Sequence, residues 1–156
     1  RPPMTAPTSP TTAAALAITL TGCGDSHDHS KDSGGHHHSA PHGGMLLEIG
    51  QHEYNLEFVV DSAAGKLDLY VLDGHAENFV RIAMPAIDVI ATTGGKTEKL
   101  VLQPVANNAT GEKAGDTSQF QAQADWLKTT PVFDGVINEI NIKGSKHTFL
   151  PFRFPK

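Results

Sequence analysis

Short apolar segments separated by turn residues recur from residue 45 to the end of the chain, and they limit its possible folds most. They are rich in β-branched or aromatic residues, as in LEFVV, LDLYVL and GVINEINI. Leu56 and Phe58 fall on one face of their segment, whereas Asn55 and Glu57 fall on the other. A period of two is typical of a half-buried β-strand. The pattern also predicts that Glu53 and Glu57 are solvated.

The turn signals between these segments, such as DSAAGK, DGHAEN, TTGGKTE and NNATGEKAGD, set the number of strands. Seven or eight short strands at this spacing predict an all-β fold, an antiparallel β-sandwich formed by residues 42–156. A domain of about 110 residues buries roughly two thirds of its extended surface. We therefore expect it to fold without a disulfide or a metal.

Local residues refine this prediction. Pro85 lies within RIAMPAIDVIA and indicates a bulge, an edge or a strand break. Residues 125–127 favour one turn of helix, with Trp126 in the core. Phe149, Phe152 and Phe154 predict a last core strand at the end of the chain.

The start of the chain has the layout of a secretory signal peptide, with an apolar run at residues 13–20 followed by small residues. Leu20-Thr21-Gly22-Cys23 resembles the lipobox of bacterial lipoproteins. The resemblance implies removal of residues 1–22, lipidation of Cys23 and a membrane anchor on the periplasmic side of a bacterial membrane. Cys23 is the chain's one cysteine, so no intrachain disulfide can form. The alternative is a small-residue linker with an incidental cysteine.

Residues 23–41 form a polar segment rich in histidine, which we call the tether. Its glycine, serine, aspartate and histidine residues bury too little apolar surface to offset chain entropy, so we predict disorder. The stretch SHDHSKDSGGHHHSAPHGG, which runs to the domain's entrance, holds six of the chain's nine histidines: His27, His29, His36, His37, His38 and His42.

Neutral imidazole is the commonest metal ligand among side chains, and together with carboxylates it favours Zn²⁺ or Cu²⁺. Candidate ligands within the domain are His42 at its entrance and His52 and His75 in predicted turns. If those turns lie at one end of the sandwich, His52, His75 and a carboxylate could converge, with His42 at the opposite end. Binding should fade below about pH 6, because the ligands must be deprotonated. The alternative is a solvated spacer that merely tolerates histidine.

Charge and motifs argue against other classes of function. The net charge is −5 with histidine neutral, so we expect no nucleic-acid partner. The sequence contains no G-x-S-x-G, H-E-x-x-H, Walker or G-x-G-x-x-G motif. We therefore predict that the protein is not an enzyme.

Several features together resemble a group of periplasmic lipoproteins from planctomycete-type bacteria. These are the lipobox, the His/Asp/Gly tether, Pro-His-Gly-Gly, the strand ending in Glu-Ile-Gly and the segment LYVLD. The resemblance implies an envelope location but no particular activity. More weakly, His42, Gly43 and Gly44 are similar to a segment of the periplasmic adaptor subunits of heavy-metal efflux pumps. The adaptors' coiled-coil hairpin and lipoyl-like half do not occur in this sequence.

The sequence thus predicts a membrane-anchored periplasmic lipoprotein that binds Zn²⁺ or Cu²⁺ for buffering or for transfer to a metal-efflux or other envelope protein. A second hypothesis is a module that binds an envelope protein and has no metal role. A third is an enzyme whose site does not show in the sequence.

Overall fold

A computed structural model describes residues 38–130 and 132–156, and these form eight β-strands and one short 3₁₀ turn. The predicted all-β antiparallel fold with seven to eight strands is confirmed. Within the described residues, no helix is long and apolar enough to cross a membrane. The strands are β1 (Met45–Ile49), β2 (Tyr54–Asp61), β3 (Lys66–Asp73), β4 (Ile87–Thr93), β5 (Lys96–Pro104), β6 (Gln119–Gln123), β7 (Phe133–Ile142) and β8 (Ser145–Phe154).

The strands form one sheet in the order β1-β2-β3-β6-β5-β4-β7-β8. Every neighbouring pair is antiparallel. Strand β5 links the two halves of the sheet, because most of its length pairs with β4 and its end pairs with β6 through Gln103 and Gln121. The edge strands β1 and β8 contact each other, so the sheet is nearly closed.

The core lies between the two halves of the sheet. Phe58 of β2 stacks on Phe152 of β8 with ring centroids 4.2 Å apart. A Cβ atom at Gly135 would lie 2.3 Å from the Phe152 ring, so only glycine leaves room for this ring. Leu56 and Leu69 are fully buried in the same core, as their alternation predicts.

The local expectations have mixed outcomes. The chain does break at Pro85, since β4 begins only at Ile87. The 3₁₀ turn Asp125–Lys128 is present, and Trp126 packs edge-on against Phe133 at 5.4 Å. The placement of Phe149 in the core is wrong, because 71% of it is exposed. It lies an odd number of residues from Phe152 and Phe154, so a period of two puts it on the opposite face.

The outer face of β2, β3 and β6, opposite the core, carries a row of polar side chains. Glu57 of β2 is in register with Tyr70 of β3, and Tyr70 is in register with Gln119 of β6. Two residues earlier in β3, on the same face, Asp68 is in register with Gln121 of β6. This row forms the floor of the candidate site.

Candidate metal site

The segment that leads into β1 lies on this outer face and is held by one carboxylate. Oε1 of Glu57 accepts hydrogen bonds from the backbone N–H groups of His42, at 2.8 Å, and Gly44, at 3.0 Å. Its second oxygen, Oε2, lies 2.8 Å from Nδ1 of the His42 ring. The Glu57 side chain is completely buried beneath this segment. The predicted solvation of Glu57 is therefore wrong.

The two glycines after His42 allow this arrangement for different reasons. Gly43 has a φ of +69°, a left-handed conformation that glycine adopts without strain. A Cβ atom at Gly44 would lie 2.4 Å from the carbonyl oxygen of Phe58. Gly44 thus permits the backbone to approach β2 closely enough to reach Glu57.

The His42 ring has a fixed position, and its hydrogen bond to Glu57 defines which nitrogen carries the proton. It stacks on Tyr70, with centroids 3.9 Å apart and planes inclined by 16°, and its centroid lies 5.6 Å from that of Phe79. Because a carboxylate only accepts hydrogen bonds, Nδ1 donates to Glu57. In the neutral ring, Nε2 then keeps its lone pair. The His42 side chain is 37% exposed, and a partly exposed ring that is held by a carboxylate suits a metal ligand.

Tyr70 belongs to a hydrogen-bonded group on the floor of the site. Nε2 of Gln119 donates to Oδ1 of Asp68 at 3.0 Å and to the Tyr70 hydroxyl at 3.1 Å. Nε2 of Gln121 donates to the same Asp68 oxygen at 2.7 Å. Burial raises the pKa of Tyr70, and the Asp68 and Glu57 carboxylates raise it further. The phenol therefore stays neutral well into the alkaline range.

A cavity of about 200 Å³ opens in front of His42. Tyr70, Phe79 and Gln119 line it together with Glu112, which belongs to the loop between β5 and β6. Burial raises the pKa of Glu112, but hydrogen bonds from Ser118 and Thr110 lower it more, to below its ordinary value. An imidazole and a carboxylate thus line the same small cavity.

The other predicted ligands in the described residues are arranged in pairs. The turns of His52 and His75 do lie at one end of the sheet, because Gly74 packs against the carbonyl of His52. Nδ1 of His52 lies 2.9 Å from Oε2 of Glu48. The rings of His38 and His75 meet edge to face at 5.6 Å.

The described part of the chain does not gather a complete set of ligands. Across residues 38–130 and 132–156, no three histidine, cysteine, aspartate or glutamate side chains lie close enough to hold a metal ion together. The predicted lipidation site Cys23 lies outside the described residues, and so do the signal peptide, most of the tether and the candidate ligands His27, His29, His36 and His37.

Sequence reasoning missed two residues of this site. Alternation predicts that Glu57 faces the solvent, because it identifies the outer face of the strand but not the segment that covers this face. Glu112 lies in the segment NNATGEKAGD, whose composition indicates only a turn. The sequence signal nearest to the site is Pro-His-Gly-Gly, whose second glycine marks a close backbone approach.

Comparison with known proteins identified no relative of this chain. No protein-family model matches the chain, and neither a curated protein nor a solved structure matches it.

Proposed function

We propose that this protein is a periplasmic lipoprotein, anchored through lipidated Cys23, that binds Zn²⁺ or Cu²⁺ for buffering or for transfer to another envelope protein. In this proposal the tether collects the metal and His42 provides a fixed ligand at the domain's entrance. The observation that supports it most is the 2.8 Å contact between Nδ1 of His42 and the buried Glu57 carboxylate.

That contact has the form of the hydrogen bond that a metal-bound histidine makes through its other ring nitrogen. Such a histidine usually donates its other ring N–H to a carboxylate or carbonyl, which fixes the tautomer and raises the basicity of the ligating nitrogen. Loss of such a partner typically lowers metal affinity by about 10–100-fold. A ring already held by Glu57 and Tyr70 loses little conformational entropy on binding a metal.

The tether would supply the remaining ligands. Its histidine run ends at His38, four residues before His42, so imidazoles and the fixed ring are close along the chain. Several imidazoles with a few carboxylates suit Zn²⁺ and Cu²⁺. A site that keeps open coordination positions can release its metal to a partner more readily than a closed structural site can.

The second candidate is a module that binds an envelope protein. The observation in its favour is Phe149, which is 71% exposed on the edge strand β8. An exposed aromatic side chain on an edge strand suits a protein partner. This candidate requires no metal.

Isothermal titration of the 156-residue chain, produced without lipidation, with Zn²⁺ and Cu²⁺ tests the proposal. His42→Phe keeps a ring on Tyr70 but removes both nitrogens, and we expect it to weaken binding about tenfold or more. His147→Phe is the matched control, because it also replaces an imidazole with an aromatic ring, and His147 lies near Glu53 and is not among the proposed ligands. An unchanged affinity in His42→Phe would contradict the proposed ligand, and the absence of binding by the parent chain would favour the protein-binding module.

A further inference from the structure

A histidine with a buried ring nitrogen faces a carboxylate at the opposite end of β1 from His42. Nε2 of His147, in the edge strand β8, is buried and has no hydrogen-bond partner among the described residues. Oε2 of Glu53, in the turn formed by residues 50–53 between β1 and β2, lies 3.9 Å away. We propose that the two residues form a pH-responsive latch. Protonation of His147 brings Glu53 into an ion pair and ties the β1–β2 turn to β8.

The spacing of the two groups suits a contact that forms on protonation. A separation of 3.9 Å is too long for a hydrogen bond, and a buried polar atom without a partner destabilises the fold. The imidazolium ring donates from both nitrogens, so Nε2 becomes a charged donor that a carboxylate accepts. The Glu53 side chain is 56% exposed and that of His147 only 12%. Glu53 is therefore the partner that moves the remaining distance of about 1 Å.

The β1–β2 turn is the strained segment that this pair controls. Gly50, Gln51 and His52 all have left-handed backbone conformations, with φ values of 64°, 53° and 69°. Residues other than glycine adopt this conformation rarely, and they keep it only where the surroundings hold them. A Cβ atom at Gly50 would lie 2.8 Å from Cε1 of His147 and 2.7 Å from Oε2 of Glu53. The turn thus packs directly on the latch.

The other groups around His147 leave Glu53 as its carboxylate partner. Tyr54 of β2 meets the His147 ring edge to face, with centroids 6.1 Å apart, and the register partner of His147 in β7 is the apolar Ile140. Two neighbouring carboxylates belong to exposed pairs, Glu48–His52 at 2.9 Å and Glu139–Lys146 at 3.0 Å. Protonation of His147 therefore acts through Glu53.

The latch should be closed in mildly acidic solution and open in mildly alkaline solution. Imidazole usually gains its proton between about pH 8 and pH 5, whereas a glutamate carboxylate stays ionised down to about pH 4.3. Between these limits the pair carries opposite charges. Because β1 and β8 are the two edges of the sheet, the closed latch joins its edges at this end. The device needs no metal and is independent of the proposed site at His42.

Amide hydrogen exchange of residues 50–54 in the unlipidated 156-residue chain, without metal, tests the latch. Protection is calculated against the rates of unstructured peptides at the same pH. We expect it to rise about threefold from about pH 8 to about pH 5.5, the size of effect typical of a partly exposed ion pair. Glu53→Gln keeps the shape but removes the charge and should abolish the rise. Glu48→Gln is the matched control and should retain it, because Glu48 pairs with His52 instead.

Three results would overturn the proposal. Protection in the parent chain that does not change with pH shows that no latch closes. An undiminished rise in Glu53→Gln shows that another group takes up the proton. Equal losses in Glu53→Gln and Glu48→Gln indicate a general effect of charge on the turn. His147→Phe should also abolish the rise, and if it lowers the melting temperature markedly, Glu53→Gln decides, since its side chain is largely exposed.

Discussion

Nδ1 of His42 lies 2.8 Å from Oε2 of Glu57, a carboxylate with no exposure to solvent. The same side chain accepts hydrogen bonds from the backbone of His42 and Gly44. One residue of β2 thus holds the segment that joins the tether to the domain and also orients the proposed ligand. Stability and metal binding should therefore respond together to changes at Glu57.

Glu57→Gln should destabilise the fold by roughly 2 kcal/mol, because hydrogen bonds to a charged group contribute about 1.5–3 kcal/mol and a buried group left without its partner costs more. Glu53→Gln is the control, since Glu53 lies four residues earlier, just before β2, and its side chain is 56% exposed. It should change stability by less than about 0.5 kcal/mol. Urea unfolding followed by circular dichroism measures both, and equal effects would contradict the buried role of Glu57.

Tyr70 should ionise above its ordinary pKa of 10.0, because it is partly buried and lies near Asp68 and Glu57. A group whose pKa is raised by folding stabilises the native state fully below its unfolded pKa. That contribution is lost as the pH rises through the folded value. An absorbance titration of the folded chain should show a late alkaline component, and Tyr70→Phe should remove it. A titration curve unchanged by Tyr70→Phe would contradict this environment.

Glu112 should contribute to stability in the opposite pH range, because its pKa is lowered on folding. Its contribution is present above about pH 4.5, the ordinary value, and is lost as the pH falls through the folded pKa. Glu112→Gln should therefore be less stable than the parent chain at neutral pH, with a difference that shrinks on acidification. Urea midpoints measured from neutral to strongly acidic pH test this. A difference that stays constant across that range would refute the linkage.

Gly135→Ala should destabilise the core, since its Cβ atom would lie 2.3 Å from the Phe152 ring. Overpacking of this kind costs about 1–3 kcal/mol. Phe152→Leu removes the ring that the new methyl group meets. In the double variant, the added cost of Gly135→Ala should largely disappear, and thermal unfolding of all four chains measures this. Equal costs of Gly135→Ala with and without the ring would show that the contact does not matter.

The strands were predictable because burial on one face leaves a period of two in the sequence. Leu56 and Phe58 follow it and are fully buried. The order of strands in the sheet was not predictable, because β3 pairs with β6 although β4 and β5 lie between them in the sequence. Prediction also has a limit within a single strand. The aromatic side chain of Phe149 suggests a core position, but its place in the alternation of β8 puts it on the outer face.

The candidate site was only partly predictable. His42 was identified from its place at the end of the histidine-rich stretch and beside two glycines. Its partner Glu57 has the sequence context of a solvent-facing strand residue, and only the path of the segment above it buries it. Glu112 reaches the same cavity through a loop whose fold depends on Ser118 and Arg81. Contacts of this kind join distant parts of the chain and leave no local pattern.

The most direct measurement is nitrogen NMR of the histidine imidazoles in the unlipidated 156-residue chain, before and after addition of Zn²⁺. The proposal predicts that His42 is protonated on Nδ1 in the metal-free neutral ring and that its Nε2 signal moves on metal binding. The signals of His147, which faces Glu53 rather than the cavity, should stay in place. If the His42 signals are the same with and without Zn²⁺, His42 is not a metal ligand and the proposed site is wrong.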